Sequence, residues 1–232
     1  MNFEPIQKEK MYQNVILQVK QMIYDGKLKK GDKLPAERNL ASLLGVSRNT
    51  IREAFSALEL LGIIESRHGE GSFISNEPLR SGSVEPLSLL FMLEANAQTQ
   101  LIDVRKMLEA ESAFLAAQSA GEEDLAVLEK CIQDFERNTV DQNFSIEVDR
   151  TFHFGIAKAS GNVLLYYLYS AISEALEHHI RTMRLRIVLE SENIERLLLQ
   201  HKNIYQYICN RDALKARQAM LEHMEFIKSY VK

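Results

Sequence analysis

Residues 35–62 read "PAERNLASLLGVSRNTIREAFSALELLG", and their punctuation leaves the chain little local freedom. Pro35 stands where the first turn of a helix tolerates it, and Gly45 closes the short helix that follows. Ser47 is a strong N-cap for a second helix, which Gly62 stops. Upstream, residues 7–25 read as a helix, because Val15, Ile16, Val19, Met22 and Ile23 recur at helical spacing. Downstream, "IIESR" and "GSFIS" are β-prone runs on either side of "HGEG", a tight hairpin. The first 75 residues are therefore expected to form three helices and a two-stranded hairpin.

The second helix of the pair opens on Arg48, Asn49, Thr50 and Arg52, while Ala54, Leu58 and Leu61 are expected to pack inward. Helix, short turn and a helix with a polar, basic front is the pattern of a helix-turn-helix. In that module the front of the second helix enters the major groove. Arg, Ser and Thr meet phosphates, and Arg is the best reader of guanine. The hairpin supplies a wing, on which Arg67, His68 and the glycines of "HGEG" can approach a phosphate ridge, opposed by Glu70. Taken alone, a Ser-capped helix with two arginines is more often a solvated face; the order of all the elements is what points to DNA. Charge agrees. Residues 1–80 carry 12 Lys and Arg against 10 Asp and Glu, whereas the remainder carries 16 against 22. A mildly positive head on an acidic body suits a protein that meets an anion at one end only.

Residues 76–86, "NEPLRSGSVEP", have the composition of a linker. The expected partition is a DNA-binding domain over 1–75, a linker over 76–86 and a helical domain over 87–232. Helices are expected near 98–119, 122–138, 144–159, 162–189, 192–210 and 212–231, with a short one at 87–94, and no strand pattern interrupts them. The fold class is thus mainly α: a winged helix-turn-helix followed by an all-α antiparallel helical bundle. Cys131 and Cys209 form no CxxC, so a thiolate zinc site and a disulfide framework are both disfavoured. The absence of a long apolar run predicts no membrane span and no signal peptide, and a cytoplasmic location follows as the expectation.

The helical body holds polar groups inside apolar stripes. Asp149 and His153 are four residues apart, on the face that carries Ile146, Phe152 and Ile156. His201 falls among Leu197, Leu198, Ile204, Tyr205 and Ile208, and His223 among Met220, Phe226 and Ile227. One carboxylate and three imidazoles are an ordinary ligand set for Zn²⁺, Ni²⁺ or Mn²⁺, with zinc ranked first. The competing reading is that each histidine is satisfied separately in the core, and spacing alone does not prove convergence. Arg105 lies between Leu101 and Leu108 on another inner stripe. A buried arginine requires an anion, either an internal Glu or a bound organic acid. His179 is in line with Ile172 and Leu176 and could approach the same cavity, although a surface or core role is the simpler reading.

The segment "KLPAERNLASLLGVSRNTIREAFSALELLGIIESRHGEGSFI" resembles the winged helix-turn-helix of the GntR family of bacterial transcription regulators. The resemblance covers residues 8–75. It implies phosphate and base contacts from Arg38, Ser47, Arg48, Asn49, Thr50, Arg52, His68 and Gly69, with Asn49 at a position where the family varies. "DVRKMLEAESAFLAA", "VDRTFHFGIAKASGN" and "LLLQHKNIYQYICNRDALKARQAMLEHM" resemble the FadR C-terminal (FCD) domain, an effector-binding helical bundle. That resemblance implies a metal site at Asp149, His153, His201 and His223, and an effector-binding arginine at Arg105. It points to the metal-containing branch of the FadR subfamily, whose typical effectors are small carboxylates such as hydroxy acids or sugar acids.

The expected function is a ligand-responsive regulator, a repressor, that binds double-stranded operator DNA as a homodimer. Two-fold pairs reading half-sites about one DNA turn apart follow from helix-turn-helix geometry. Two alternatives stand beside it. One is a metal-dependent, hydrolase-like enzyme, which would leave the winged head without a role. The other is a DNA-binding protein with a purely structural metal, which would leave Arg105 without an anion.

Overall fold

The computed structural model describes residues 11–76, 97–140 and 146–230. Residues 77–86 of the linker expected over 76–86, the short helix at 87–94 and the side chain of His179 lie outside the described residues. The chain divides into two compact units, one on each side of residue 85.

In the first unit, α1 (Met11–Tyr24) and α2 (Glu37–Leu44) pack on α3 (Arg48–Leu60), followed by β1 (Ile64–Arg67) and β2 (Gly71–Ile74). Gly45 ends α2 in the left-handed conformation (φ 65°), as a chain that must turn at once into a second helix requires. The Ser47 side chain then accepts the Thr50 N–H at 3.1 Å and starts α3. β1 and β2 pair antiparallel with Ile64 opposite Ile74, and Lys33 bridges to Phe73 along the outer edge of β2. One core unites these elements, built from Val15, Val19, Leu34, Ala41, Ile51, Ala54, Phe55, Leu58, Ile64 and Ile74. Leu61 departs from expectation. It is the C-cap residue of α3 and is 49% exposed, because α3 has already ended where its inward face would continue.

The second unit is a helical bundle: α4 (Ala97–Ser119), α5 (Glu122–Val140), α6 (Ile146–Ala159), α7 (Val163–Ala175), α8 (Glu177–Ile187), α9 (Ser191–Cys209) and α10 (Ala213–Lys228). α4 packs on α10 and α6, α5 on α6 and α9, and α9 on α10. The α5–α6 contact is close at Gly155, where a Cβ would stand 3.0 Å from Leu128 Cδ2. Asn162 caps α7 by accepting the Leu165 N–H at 3.1 Å, and Gly161 makes the preceding turn at φ 68°. The single helix expected over 162–189 is two helices. Leu176 leaves the helical region (φ −97°, ψ 1°), and helical hydrogen bonding resumes with Ile180 N–H to Leu176 O at 2.8 Å. No glycine or proline marks this break. Cys131 is buried and Cys209 half-buried, both as free thiols. Among the described residues, no helix is long and apolar enough to cross a membrane.

Candidate functional site

At the front of α3, Arg48 and Asn49 are exposed, and no hydrogen bond or ion pair engages their side chains among the described residues. The other expected contact residues are more constrained. Arg52 Nε is held 2.9 Å from Glu37 Oε2 of α2, with two thirds of its side chain still exposed. Ser47 Oγ and Thr50 Oγ1 lie 2.9 Å apart, so both hydroxyls serve the cap of the helix. Arg38 on α2 is exposed, as are His68 and Gly69 at the hairpin turn. Arg67 pairs with Glu65 and covers the Phe73 ring at 4.4 Å, which ties its guanidinium to the hairpin.

In the bundle, the structure brings together what the sequence left scattered. Asp149 and His153 on α6, His201 on α9 and His223 on α10 are all at most 1% exposed. The donor nitrogens of the three histidines lie within 4.8 Å of one another. His153 Nε2 faces His223 Nε2 at 3.3 Å. Asp149 Oδ1 stands 3.2 Å from His201 Nε2 and 3.7 Å from His153 Nε2. The His201 ring is stacked on Phe135 (4.5 Å, 16°) and meets the edge of Phe152.

Two partners set the orientation of the rings. His223 Nδ1 contacts Gln200 Oε1 at 3.0 Å, and His153 Nδ1 lies against Glu109 Oε2. A proton on each Nδ1, toward these acceptors, would leave two Nε2 lone pairs facing each other, and without an ion the 3.3 Å contact needs a proton between them. His201 makes no hydrogen bond through either ring nitrogen, although it is fully buried. Facing lone pairs and an orphaned buried imidazole ask for a cation between them. With metal–donor bonds of about 2.0–2.2 Å, neighbouring donors around one ion stand about 3.0–3.5 Å apart. The 3.2 and 3.3 Å separations fall in that range and the 3.7 Å one lies just beyond it, so the donor types and the spacing of these residues suit a divalent transition metal.

The electrostatics are built from arginines and carboxylates. Arg105 Nε sits 2.5 Å from Glu109 Oε1, and Arg184 of α8 pairs with Asp149 Oδ2. Burial opposes ionisation of both carboxyls, yet Arg184 holds Asp149 well below the usual carboxylate range, and Arg105 with His153 lowers Glu109. Burial also opposes the charge on His153, but Glu109 and Asp149 outweigh it and raise its pKa. His201 is lowered by burial, with Asp149 a partial offset. Burial and then the neighbouring histidines His201 and His153 push His223 well down, which keeps the ring neutral.

Beside the cluster lies a cavity of about 40 Å³, whose polar lining is Arg105, Arg150, Arg181, Arg184, Tyr169 and Ser173 together with the carboxylates Glu147 and Glu177. Arg105 also reaches Tyr169 Oη at 3.5 Å. None of the four metal-type donors lines this cavity; the arginine–carboxylate pairs stand between. Sequence reasoning missed Glu109 and Arg184. Glu109 was signalled by its position four residues after Arg105, and Arg184 by its place between the buried Ile180 and Ile187.

A winged helix-turn-helix and a helical bundle with a buried polar cluster, carried on one chain, are the architecture of a transcription regulator with a second, helical domain. The comparisons identify which one. The family model described as bacterial regulatory proteins, gntR family, matches residues 11–74, and that of the FCD domain matches residues 100–226. The chain belongs to the GntR family of regulators that carry an FCD domain. It is 34% identical over 204 residues to the HTH-type transcriptional regulator LutR of Bacillus subtilis (strain 168), covering 88% of this chain and 93% of that one. It is 33% identical over 218 residues to the putative L-lactate dehydrogenase operon regulatory protein of Escherichia coli (strain K12), covering 92% and 83%. A solved Streptococcus agalactiae GntR structure superposes with a TM-score of 0.69 at 27% identity, covering 95% of this chain and all of that one. The protein is a transcriptional regulator and not an enzyme.

Proposed function

We propose that the protein is a homodimeric, cytoplasmic repressor whose grip on operator DNA is set by a small carboxylate sensed beside a metal ion. Residues 1–75 bind DNA, 76–86 link, and 87–232 sense. Arg48 and Asn49 read base edges from the front of α3. Arg38, Ser47, Thr50, Arg52, His68 and Gly69 fix the register on phosphates. Asp149, His153, His201 and His223 hold the ion, zinc first among the candidates. When bound, the ion would add positive charge to the buried cluster behind the Arg105–Glu109 and Arg184–Asp149 pairs. Arg105 and Arg184 line the cavity and orient the effector's carboxylate, and Tyr169 and Ser173 offer hydroxyls to its other oxygens. The effector shifts operator affinity only by the difference between its affinities for the DNA-competent and DNA-incompetent states.

The observation that carries this reading is the convergence of three buried histidines, with Asp149 Oδ1 3.2 Å from one of them, next to an arginine-lined cavity. One relative is named for an L-lactate dehydrogenase operon, so L-lactate heads the panel of small acids to be tried. The experiment is elemental analysis of wild type beside His201→Ala, followed by operator-binding titrations with that panel. About one transition metal per chain, lost in the variant, together with an acid-dependent operator affinity, is the expected result. Metal-free wild type defeats the metal assignment. A second reading, a purely structural ion, is favoured by the wall of ion pairs between donors and cavity. It predicts metal in wild type with operator affinity indifferent to every acid.

A further inference from the structure

Glu109 is fully buried on α4 and makes two different contacts with its two oxygens. Oε1 stands 2.5 Å from Arg105 Nε, at the wall of the cavity. Oε2 lies against His153 Nδ1, on the ring edge opposite the donor cluster. Asp149 divides its oxygens in the same way, one to Arg184 and one toward His201. Asp149, however, is itself among the proposed donors, whereas no oxygen of Glu109 faces the cluster. A histidine that ligates a metal through one nitrogen needs its other N–H held, because that bond selects the tautomer, fixes the ring plane and raises the basicity of the ligating nitrogen.

We propose that Glu109 is the positioning residue of the metal site. It keeps the proton of His153 on Nδ1, so that Nε2 presents its lone pair to the ion. Arg105 holds the carboxylate in place from the other side. The pair Arg105–Glu109 therefore connects the cavity wall to a metal ligand through one side chain. This inference rests on the metal reading above.

The test is zinc affinity of the full chain, measured by competition with a chromogenic chelator, in wild type, Glu109→Gln and Glu109→Leu. Glu109→Leu is expected to bind zinc about 10- to 100-fold more weakly, and Glu109→Gln, which retains an acceptor, to lose less. Both keep a stoichiometry of about one. In the zinc-loaded wild type, the His153 Nδ1–H proton resonates far downfield and exchanges slowly. That resonance moves upfield and exchanges faster in Glu109→Leu, a change that a merely space-filling role for Glu109 would not produce. Should Glu109→Leu fail to fold because Arg105 is left buried without a partner, the double variant Arg105→Met/Glu109→Leu removes both charges and shows the same loss. Wild-type zinc affinity in the variants, with the proton resonance unchanged, overturns the role of Glu109 alone. Wild type that takes up no zinc overturns the metal reading and this inference with it.

Discussion

Arg48 and Asn49 differ from their neighbours in one respect: their side chains reach solvent with no described partner to hold them back. Arg52 must leave Glu37, and the Ser47 and Thr50 hydroxyls already serve the helix cap. Arg48→Ala is therefore expected to weaken operator binding by about 1–3 kcal/mol, and the slope of log K against log salt to fall by about 1 if the contact is to phosphate. A filter or fluorescence titration at several salt concentrations checks this, and wild-type affinity throughout would remove Arg48 from the interface. In the bundle, a single residue's polarity within an apolar stripe was enough to find Asp149, His153, His201, His223 and Arg105 in the sequence. Glu109 is hard to single out because "KMLEAESAF" offers three charged residues, and only the i, i+4 relation to Arg105 separates Glu109 from the half-buried Lys106 and Glu111. Convergence itself is a tertiary fact. α6, α9 and α10 are distant in sequence, and no spacing rule brings their side chains to one point.

At the level of elements, the caps decide where recognition begins. Ser47 fixes the first turn of α3 and with it the direction of Arg48 and Asn49. Ser47→Ala is expected to cost about 1 kcal/mol of stability in urea unfolding, while Ser47→Asp keeps the cap and most of that stability. A loss in both variants would mean that the hydroxyl matters for something other than the cap. Helix ends with a chemical mark, such as Gly45, Ser47, Asn162 and Gly161, were legible in the sequence. The break at Leu176 was not, because neither a glycine, a proline nor a capping side chain announces it. That break matters to the site: α8, which begins just after it, is the element that carries Arg184.

For the whole molecule, charge and metal act on different units. The positive head and acidic body confine attraction for DNA to one end of the sequence, which favours oriented docking over general coating of nucleic acid. If the bundle binds zinc, stripping the ion removes about 2.7 kcal/mol of stabilisation at free zinc 100 times the dissociation constant. Calorimetry with and without chelator is expected to lower the melting transition of the bundle and to leave that of the winged head in place; His201→Ala is expected to melt alike in both conditions. A transition unmoved by chelator in wild type would show that the cluster does not hold a metal. The depth of the cluster carries one more consequence. His201 and His223 are fully buried, and the buried pairs Arg105–Glu109 and Arg184–Asp149 separate them from the cavity. Exchange of an ion held there would require α6, α9 and α10 to part, and so would proceed on the timescale of local unfolding rather than of ligand diffusion. The regulator would then keep, for as long as it stays folded, whichever metal the cell supplied when the chain first closed around it. Its ion would be a record of conditions at synthesis, whereas a carboxylate bound in the cavity would report conditions of the moment.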